Sequence, residues 1–203
     1  MLWLCSEIII FICLNNIIMK VSLKGQKFSI TQILCLVLYY GIAKHLPASY
    51  TPIMGGVSSA FRYHLVKRIF KNCGKHVNVE HGVIFGKGID VEIGDFCGIG
   101  INAVIPSNSK IGNYVMMGPN CYALCNNHDF SRLDIPMVLQ GYTPNEPLII
   151  EDNVWIGRDV LMTPGRTIKE GSIVAAGCVL CKDFPEYSII GGNPSRLIKS
   201  RKQ

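Results

Sequence analysis

The sequence predicts an all-β fold, a parallel β-helix of hexapeptide repeats, preceded by a helical region at the N-terminus. Three observations predict it. Aliphatic residues return every six positions at Ile93, Ile99, Ile105, Ile111 and Met117, and again at Ile150, Ile156, Met162, Ile168, Val174 and Leu180. Glycine directly follows several of these beats, at Gly94, Gly100, Gly112, Gly118 and Gly157. From residue 75 to about residue 190, no window keeps a helical period beyond one turn. A six-residue period marks a solenoid, in which each hexad is one short strand and one turn and each coil buries its aliphatic residue against its neighbours. Glycine after the beat suits a corner where the backbone must turn without a Cβ.

The 203 residues suffice for one sizeable domain with a buried core. With 49% apolar and 17% charged residues, a disordered polar chain is excluded. The net charge of +6 favours anionic small molecules or membrane surfaces. It falls short of a nucleic-acid signature, and no cluster interleaves aromatic with basic residues, so no nucleic-acid partner is expected.

The first element is an apolar run, residues 1–19, interrupted by Ser6, Glu7, Asn15 and Asn16. It barely reaches the ~20 residues of a spanning helix. It lacks the basic start and small-residue cleavage site of a secretory signal. Translation starting at Met19 is the bland alternative. Residues 30–46 then place Ile30, Ile33, Leu34, Val37, Leu38 and Ile42 on one helical face, with Pro47 as the stop. Residues 47–57 read as a loop. A second helix is expected to follow Ser58 or Ser59 as N-cap, with Phe61, Leu65, Val66, Ile69 and Phe70 as its apolar side. Arg62, Lys67, Arg68 and Lys71 form its basic side, and it is expected to end at Asn72-Cys73-Gly74. Such a helix either docks its apolar side on the protein or lies on anionic lipid, a peripheral membrane association.

The chain thus divides into an N-terminal region, 1–74, and a solenoid domain, 75–203. Nine cysteines raise the question of disulfides or zinc. Cys97, Cys121 and Cys178 share a phase of the repeat with Ala103, Ser109, Val115, Val154, Val160 and Ser172, so they read as small buried hydrophobes. Cys178 and Cys181 form a lone CxxC with no second pair, so free thiols in a cytoplasmic setting are expected and no metal. Arg166 stands at the same small-residue phase and must find a partner or leave the prism.

The rhythm stops between Ala123 and Ile150, 27 residues apart and not a multiple of six. The intervening segment, about 124–148, must therefore leave the prism as a loop, and long loops in compact folds usually carry function. It opens on "NNHDF", with His128 the only histidine beyond residue 82.

The repeats, "NNHDF", "NVWIG" at 153–157, "PG" at 164–165 and "GGNPSRLIK" at 191–199 together resemble the hexapeptide-repeat acyltransferases, in particular the galactoside and maltose O-acetyltransferase branch. They are also similar to O-acetyltransferases of polysaccharide biosynthesis. The resemblance covers residues 75–200. It implies a left-handed β-helix, against the usual crossover hand, a homotrimer, and acetyl-CoA bound between adjacent prisms as co-substrate. By the same resemblance His128 is the catalytic base, a role that an imidazole suits chemically. Trp155, Arg158, Ala176, Cys181, Lys182, Arg196 and Lys199 fall at cofactor-binding positions, with Arg196 and Lys199 matching cations that meet CoA phosphates. Arg158 and Cys181 depart from the Ser and Thr usual there. Asn102, Asn120 and Asn127 are the candidate acceptor contacts, the acceptor being a sugar or polysaccharide hydroxyl. Two other readings compete. One is a γ-carbonic-anhydrase-like zinc enzyme using His76, His81 and His128; the other is a non-catalytic β-helical assembly subunit.

Overall fold

The computed structural model describes residues 9–10, 20–23 and 26–202. Three short strands come first, β1 (Ile9–Ile10), β2 (Lys20–Leu23) and β3 (Gln26–Ser29), paired antiparallel in that order. The hydrophobic period gives no signal for this small sheet. The rest of residues 1–19, with the spanning-segment and start-site readings, lies outside the described residues. Among the described residues no helix is long and apolar enough to cross a membrane.

Helix α1 spans Ile30–Gly41. A capping box starts it: the Gln32 N–H donates to Ser29 Oγ at 3.1 Å, and the Gln32 side chain accepts from the Ser29 N–H at 3.0 Å. The helix ends at Gly41, before Pro47 is reached, and a 3-10 turn (Ala43–His45) follows. Its orientation corrects the sequence expectation. Cys35 and Tyr39 are buried, whereas Leu34, Val37, Leu38 and Ile42 of the expected core stripe face outward. The reason lies in what α1 packs against. The first coil has no coil beyond it to receive its carbonyls, and tyrosines can receive them while burying a ring. Tyr39 donates to the Val83 carbonyl at 3.1 Å, Tyr40 to that of Gly86 at 2.7 Å, and the Tyr39 ring lies 4.6 Å from that of Phe85.

Helix α2 spans Gly55–Ile69. It starts earlier than the serines suggested: Met54 is the N-cap, and Ser58 lies inside the helix with its Oγ donating to the Met54 carbonyl. A Cβ on Gly55 would lie 2.3 Å from the Ser49 carbonyl oxygen, so the chain needs glycine to turn in there. Leu65, Val66, Ile69 and Phe70 are buried as expected. Arg62 is not on the solvent side; its exposure is 0%. Its Nε donates to the Val79 carbonyl at 2.6 Å and its Nη1 to those of Pro47 and Leu46 at 3.0 and 3.2 Å, while Nη2 stands 3.6 Å from Glu80 Oε2. The helix therefore presents Lys67 and Arg68 alone on its outer last turn.

Asn72 and Cys73, expected to end that helix, already form β4, the first strand of a three-faced prism. The first face stacks β4 (Asn72–Cys73), β6 (Glu92–Ile93), β8 (Lys110–Ile111), β11 (Ile149–Ile150) and β14 (Thr167–Ile168), all parallel. The second stacks β5 (Asn78–Val79), β7 (Gly98–Ile99), β9 (Met116–Met117), β12 (Trp155–Ile156), β15 (Ile173–Val174) and β17 (Ser188–Gly191). On its edge β18 (Arg196–Ser200) returns antiparallel to β17. The third holds β10 (Tyr122–Ala123), β13 (Leu161–Met162) and β16 (Val179–Leu180), extended by bridges through Val104 to Ile84. Every beat residue is buried, and like stacks on like: Ile93 on Ile111, Ile111 on Ile150, Ile150 on Ile168.

The glycines after the beat serve a different need from the one expected. None of the five has positive φ. A Cβ at Gly100 would lie 2.2 Å from the Gly118 carbonyl oxygen, and one at Gly118 would lie 2.7 Å from the Arg158 nitrogen, so close approach of consecutive coils excludes it. The left-handed turn falls two residues later, at Phe96, Tyr114 and Asn153 between first and second faces, and at Asn102, Asn120 and Asp159 between second and third.

Cys97, Cys121 and Cys178 are buried, as their phase required. The first two thiols donate to the carbonyls of Gly112 and Gly157, at 3.0 and 3.1 Å, and burial pushes both thiols up. Arg166 does find partners: its Nη1 donates to the Cys181 carbonyl at 3.2 Å and lies 3.4 Å from Asp183 Oδ1, bracing the corner between third and first faces.

Candidate active site

The chain leaves the third face after Ala123 and rejoins the first at Ile149. Each strand pairing across this gap spans 39 positions where an uninterrupted coil spans 18. The excess forms a hairpin-like arm. Its stem is held by Glu146 N–H to the Cys125 carbonyl at 2.7 Å, Thr143 N–H to that of Asn127 at 2.9 Å, and Asp129 N–H to that of Gly141 at 3.1 Å. The Asn127 N–H donates back to Thr143 Oγ1 at 3.0 Å.

His128 sits in this stem, opposite Tyr142 in an antiparallel bridge, with the two rings 4.3 Å apart. The stem fixes its backbone and Tyr142 covers one ring face, but the imidazole stays exposed. Beyond it the tip is apolar and uncovered: Phe130, Leu133, Met137, Val138 and Leu139 are all exposed, Leu133 completely. The sequence singled out His128 but not Tyr142, because the partner is set by hairpin register and no local motif announces it.

The other assigned residues lie around the prism. Trp155 projects outward from β12, between Met116 and Ile173 in the same ladder. Asn102 and Asn120 meet at the corner between second and third faces, in a polar ladder: Asn102 Nδ2 donates to Asn120 Oδ1 at 3.3 Å, and Asn120 Nδ2 to Asp159 Oδ1 at 2.9 Å. Arg158 pairs with the same Asp159 at 3.1 Å. Asp159 was not singled out from sequence, though its place three residues after a beat, in phase with Asn102 and Asn120, is the signal that finds it. Ala176 is exposed in the next coil above Gly157, whose missing Cβ would lie 2.5 Å from the Ala176 nitrogen.

Cys181 lies one corner further on. Its N–H donates to Ser195 Oγ at 3.1 Å, its thiol contacts the same oxygen at 3.3 Å, and these contacts hold the thiol below its ordinary pKa. Lys182 is exposed, its Nζ 5.4 Å from the centre of the Phe184 ring. Arg196 and Lys199 are exposed on β18, opposite Gly191 and Ile189. The structure thus joins Asn102, Asn120 and Arg158 at one corner, with Ala176 beside them. It places the His128 arm at a different corner and Trp155 on the second face. A cavity of about 550 Å³ near Ser49, Tyr63, Lys75 and His76 includes none of these residues.

The three histidines of the zinc reading stand in different surroundings. His76 stacks on Phe96 at 4.6 Å, His81 Nδ1 lies 3.0 Å from the Leu46 carbonyl oxygen, and His128 rides the arm. Among the described residues no group of three or more His, Cys, Asp or Glu is placed to hold a metal ion. His76, Phe96 and Tyr114 instead form a ladder along one corner, with ring centres 4.6 and 5.6 Å apart.

Comparison with known proteins gives the following. No family model matches the chain. The galactoside O-acetyltransferase of Escherichia coli is 30% identical over 140 residues, covering 68% of each chain. Among solved structures, a maltose O-acetyltransferase from Clostridium difficile superposes with a TM-score of 0.67 at 28% identity, over 85% of this chain and 87% of that one. A hexapeptide-repeat acetyltransferase of Vibrio cholerae, solved with acetyl coenzyme A, gives a TM-score of 0.65 at 28% identity, over 85% and 86%.

Proposed function

Because the chain belongs to the hexapeptide-repeat acetyltransferases of the galactoside and maltose O-acetyltransferase type, with their left-handed β-helix, we propose that it moves acetyl from acetyl-CoA to a hydroxyl of a sugar or polysaccharide precursor, with His128 as general base. The observation that carries this reading is the arm itself. A break in an otherwise regular solenoid holds one histidine on a hydrogen-bonded stem, exposed and unencumbered by its own prism. In the reaction, the acceptor oxygen attacks the thioester carbonyl carbon as the imidazole takes the hydroxyl proton. The C–S bond then breaks and the CoA sulfur leaves with the electron pair, to be protonated from the imidazolium. A direct transfer of this kind needs neither a cysteine nucleophile nor a metal.

The residues present fit acetyl-CoA. Exposed backbone at Ala176 offers amide partners to an extended pantetheine arm, Trp155 offers an apolar wall, and Lys182, Arg196 and Lys199 supply cations at the last coil for phosphates. Asn102, Asn120 and Asn127 are proposed to meet the acceptor. The free thiols and the supply of acetyl-CoA suit a cytoplasmic setting. The test is acetyl-CoA turnover against a panel of galactosides, maltosides, nucleotide sugars and non-sugar alcohols. Saccharide-dependent CoA release is expected; acetylation of non-sugar acceptors alone would overturn the acceptor class.

A homotrimer is part of the same proposal. Within one chain the His128 arm and the Asn102–Asn120–Arg158 corner are separate, and the arm's tip leaves five large apolar side chains in solvent. A neighbouring copy would bring arm to corner and cover that tip. Light scattering is expected to give three times the chain mass; a fully active monomer would overturn it.

Replacing Arg196 and Lys199 together with Ala is expected to raise KM for acetyl-CoA about tenfold while kcat at saturation holds. Phosphates far from the thioester are bound equally in ground and transition states. The penalty should shrink as salt rises, since both side chains are exposed. A fall in kcat with unchanged KM would place these residues in support of the last coil instead.

A further inference from the structure

The helical layer that closes the first coil carries an outward surface that acetyl transfer leaves unused. On α1, Leu34, Val37, Leu38 and Ile42 are 58%, 64%, 40% and 51% exposed. Their spacing of three and four puts them in one stripe. Leading into and starting α2, Ile53 is 96% exposed and Val57 64%. Both helices bury their other side against the coil that begins at Asn72: Tyr39 and Phe70 pack on Phe85, and Arg62 reaches the Val79 carbonyl. The exposed stripes therefore point away from the prism, off its end.

Charge is segregated in the same way. Residues 8–79 contain nine Lys and Arg and no Asp or Glu, whereas residues 80–203 contain eleven and thirteen. Arg62 is buried and Lys71 pairs with Glu92, but Lys67 and Arg68 remain on the outer side of α2 beyond the apolar stretch. An apolar stripe with a basic margin, on helices that carry no carboxylate of their own, matches the chemistry of an anionic bilayer surface, into which side chains insert while cations meet headgroups. A second copy of the chain docking by the same end would set these cations against their own counterparts, which like-charge repulsion opposes.

We propose that this end of the prism, through the outer faces of α1 and the start of α2, docks on the surface of an anionic lipid bilayer. The docking is independent of the chemistry proposed for His128. In a trimer with its axis along the prisms, three such ends would face one way, so weak single contacts would add.

Co-sedimentation of the full chain with vesicles tests it, using phosphatidylcholine alone and phosphatidylcholine with one part in three phosphatidylglycerol. The wild type is expected to sediment with the anionic vesicles and to be released by high salt. Leu34→Ser with Val37→Ser, and separately Lys67→Glu with Arg68→Glu, are each expected to cut the bound fraction at least about tenfold. CoA release from a soluble acceptor should be unchanged in both. No sedimentation of the wild type, equal binding to neutral vesicles, or undiminished binding by both variants would overturn the proposal. So would a Leu34→Ser/Val37→Ser chain whose only change is a smaller particle in light scattering, since a protein copy would then be what covers the face.

Discussion

His128→Ala is expected to lower kcat at least about a hundredfold, the lower bound of general-base contributions, equivalent to about 2.7 kcal/mol of barrier. Acetyl-CoA affinity, measured by calorimetry, should stay within about twofold, because the cations proposed for CoA lie on the last coil and not on the arm. Folding should hardly change. The stem is held by backbone hydrogen bonds of Asn127, Asp129 and Thr143, and the substitution removes only a ring contact with Tyr142 from an exposed hairpin. This separation makes the test sharp. A mutant that melts like wild type, binds acetyl-CoA and turns over at the wild-type rate would remove His128 from the chemistry and return the arm to an assembly role.

The second large effect concerns stability. Glu80→Ala is expected to cost about 3–5 kcal/mol, since it leaves the Arg62 guanidinium buried without its counter-charge. For a chain of this size that corresponds to roughly 6–20 °C in Tm, read by differential scanning calorimetry. Arg62 has no exposure, Glu80 little, and the pair ties α2 to the first coil together with Ser49 and Asn78. Combining Arg62→Met with Glu80→Leu should cost less than either partner's removal alone, because no charge is then stranded. Equal losses in single and double variants would mean that packing, not charge, holds the helices there.

The pH dependence follows from the same site. Burial alone would raise the Glu80 carboxyl, but hydrogen bonds from Ser49 and Asn78 and the Arg62 charge outweigh it and hold the group below its ordinary range. A depressed carboxylate contributes stability that is present above the unfolded-state value, about 4.3, and lost as pH falls through the folded one. Wild-type Tm should thus drop more steeply below about pH 4.5 than that of the double variant.

The solenoid was legible in the sequence because a parallel stack repeats one physical requirement. Each coil must bury an aliphatic residue at Ile93, Ile111, Ile150 or Ile168 and offer a small one four places later, as Cys97 and Val115 do. That requirement is local in sequence and periodic, so it is written openly. It also exposed the arm, since 27 residues cannot be six-residue coil, and with the arm came His128. The partners of His128 and the Asn102–Asn120–Asp159 ladder depend on register across a hairpin and on stacking across coils. Only the fold sets which positions face each other.

The helices show the opposite case. Periodicity found α1 and α2 but assigned Leu34, Val37 and Arg62 to the wrong sides, because amphipathic pattern assumes that the core is simply apolar. At the end of this prism it is not: the first coil presents backbone carbonyls with no coil beyond to receive them. Tyrosine and arginine donors can satisfy those carbonyls and aliphatic side chains cannot. The sequence by itself determined the repeat, its interruption and the histidine within it. Only the tertiary structure decided that Tyr39 and Arg62 go in and Leu34 and Val37 stay out, because only the fold reveals which carbonyls lack a partner.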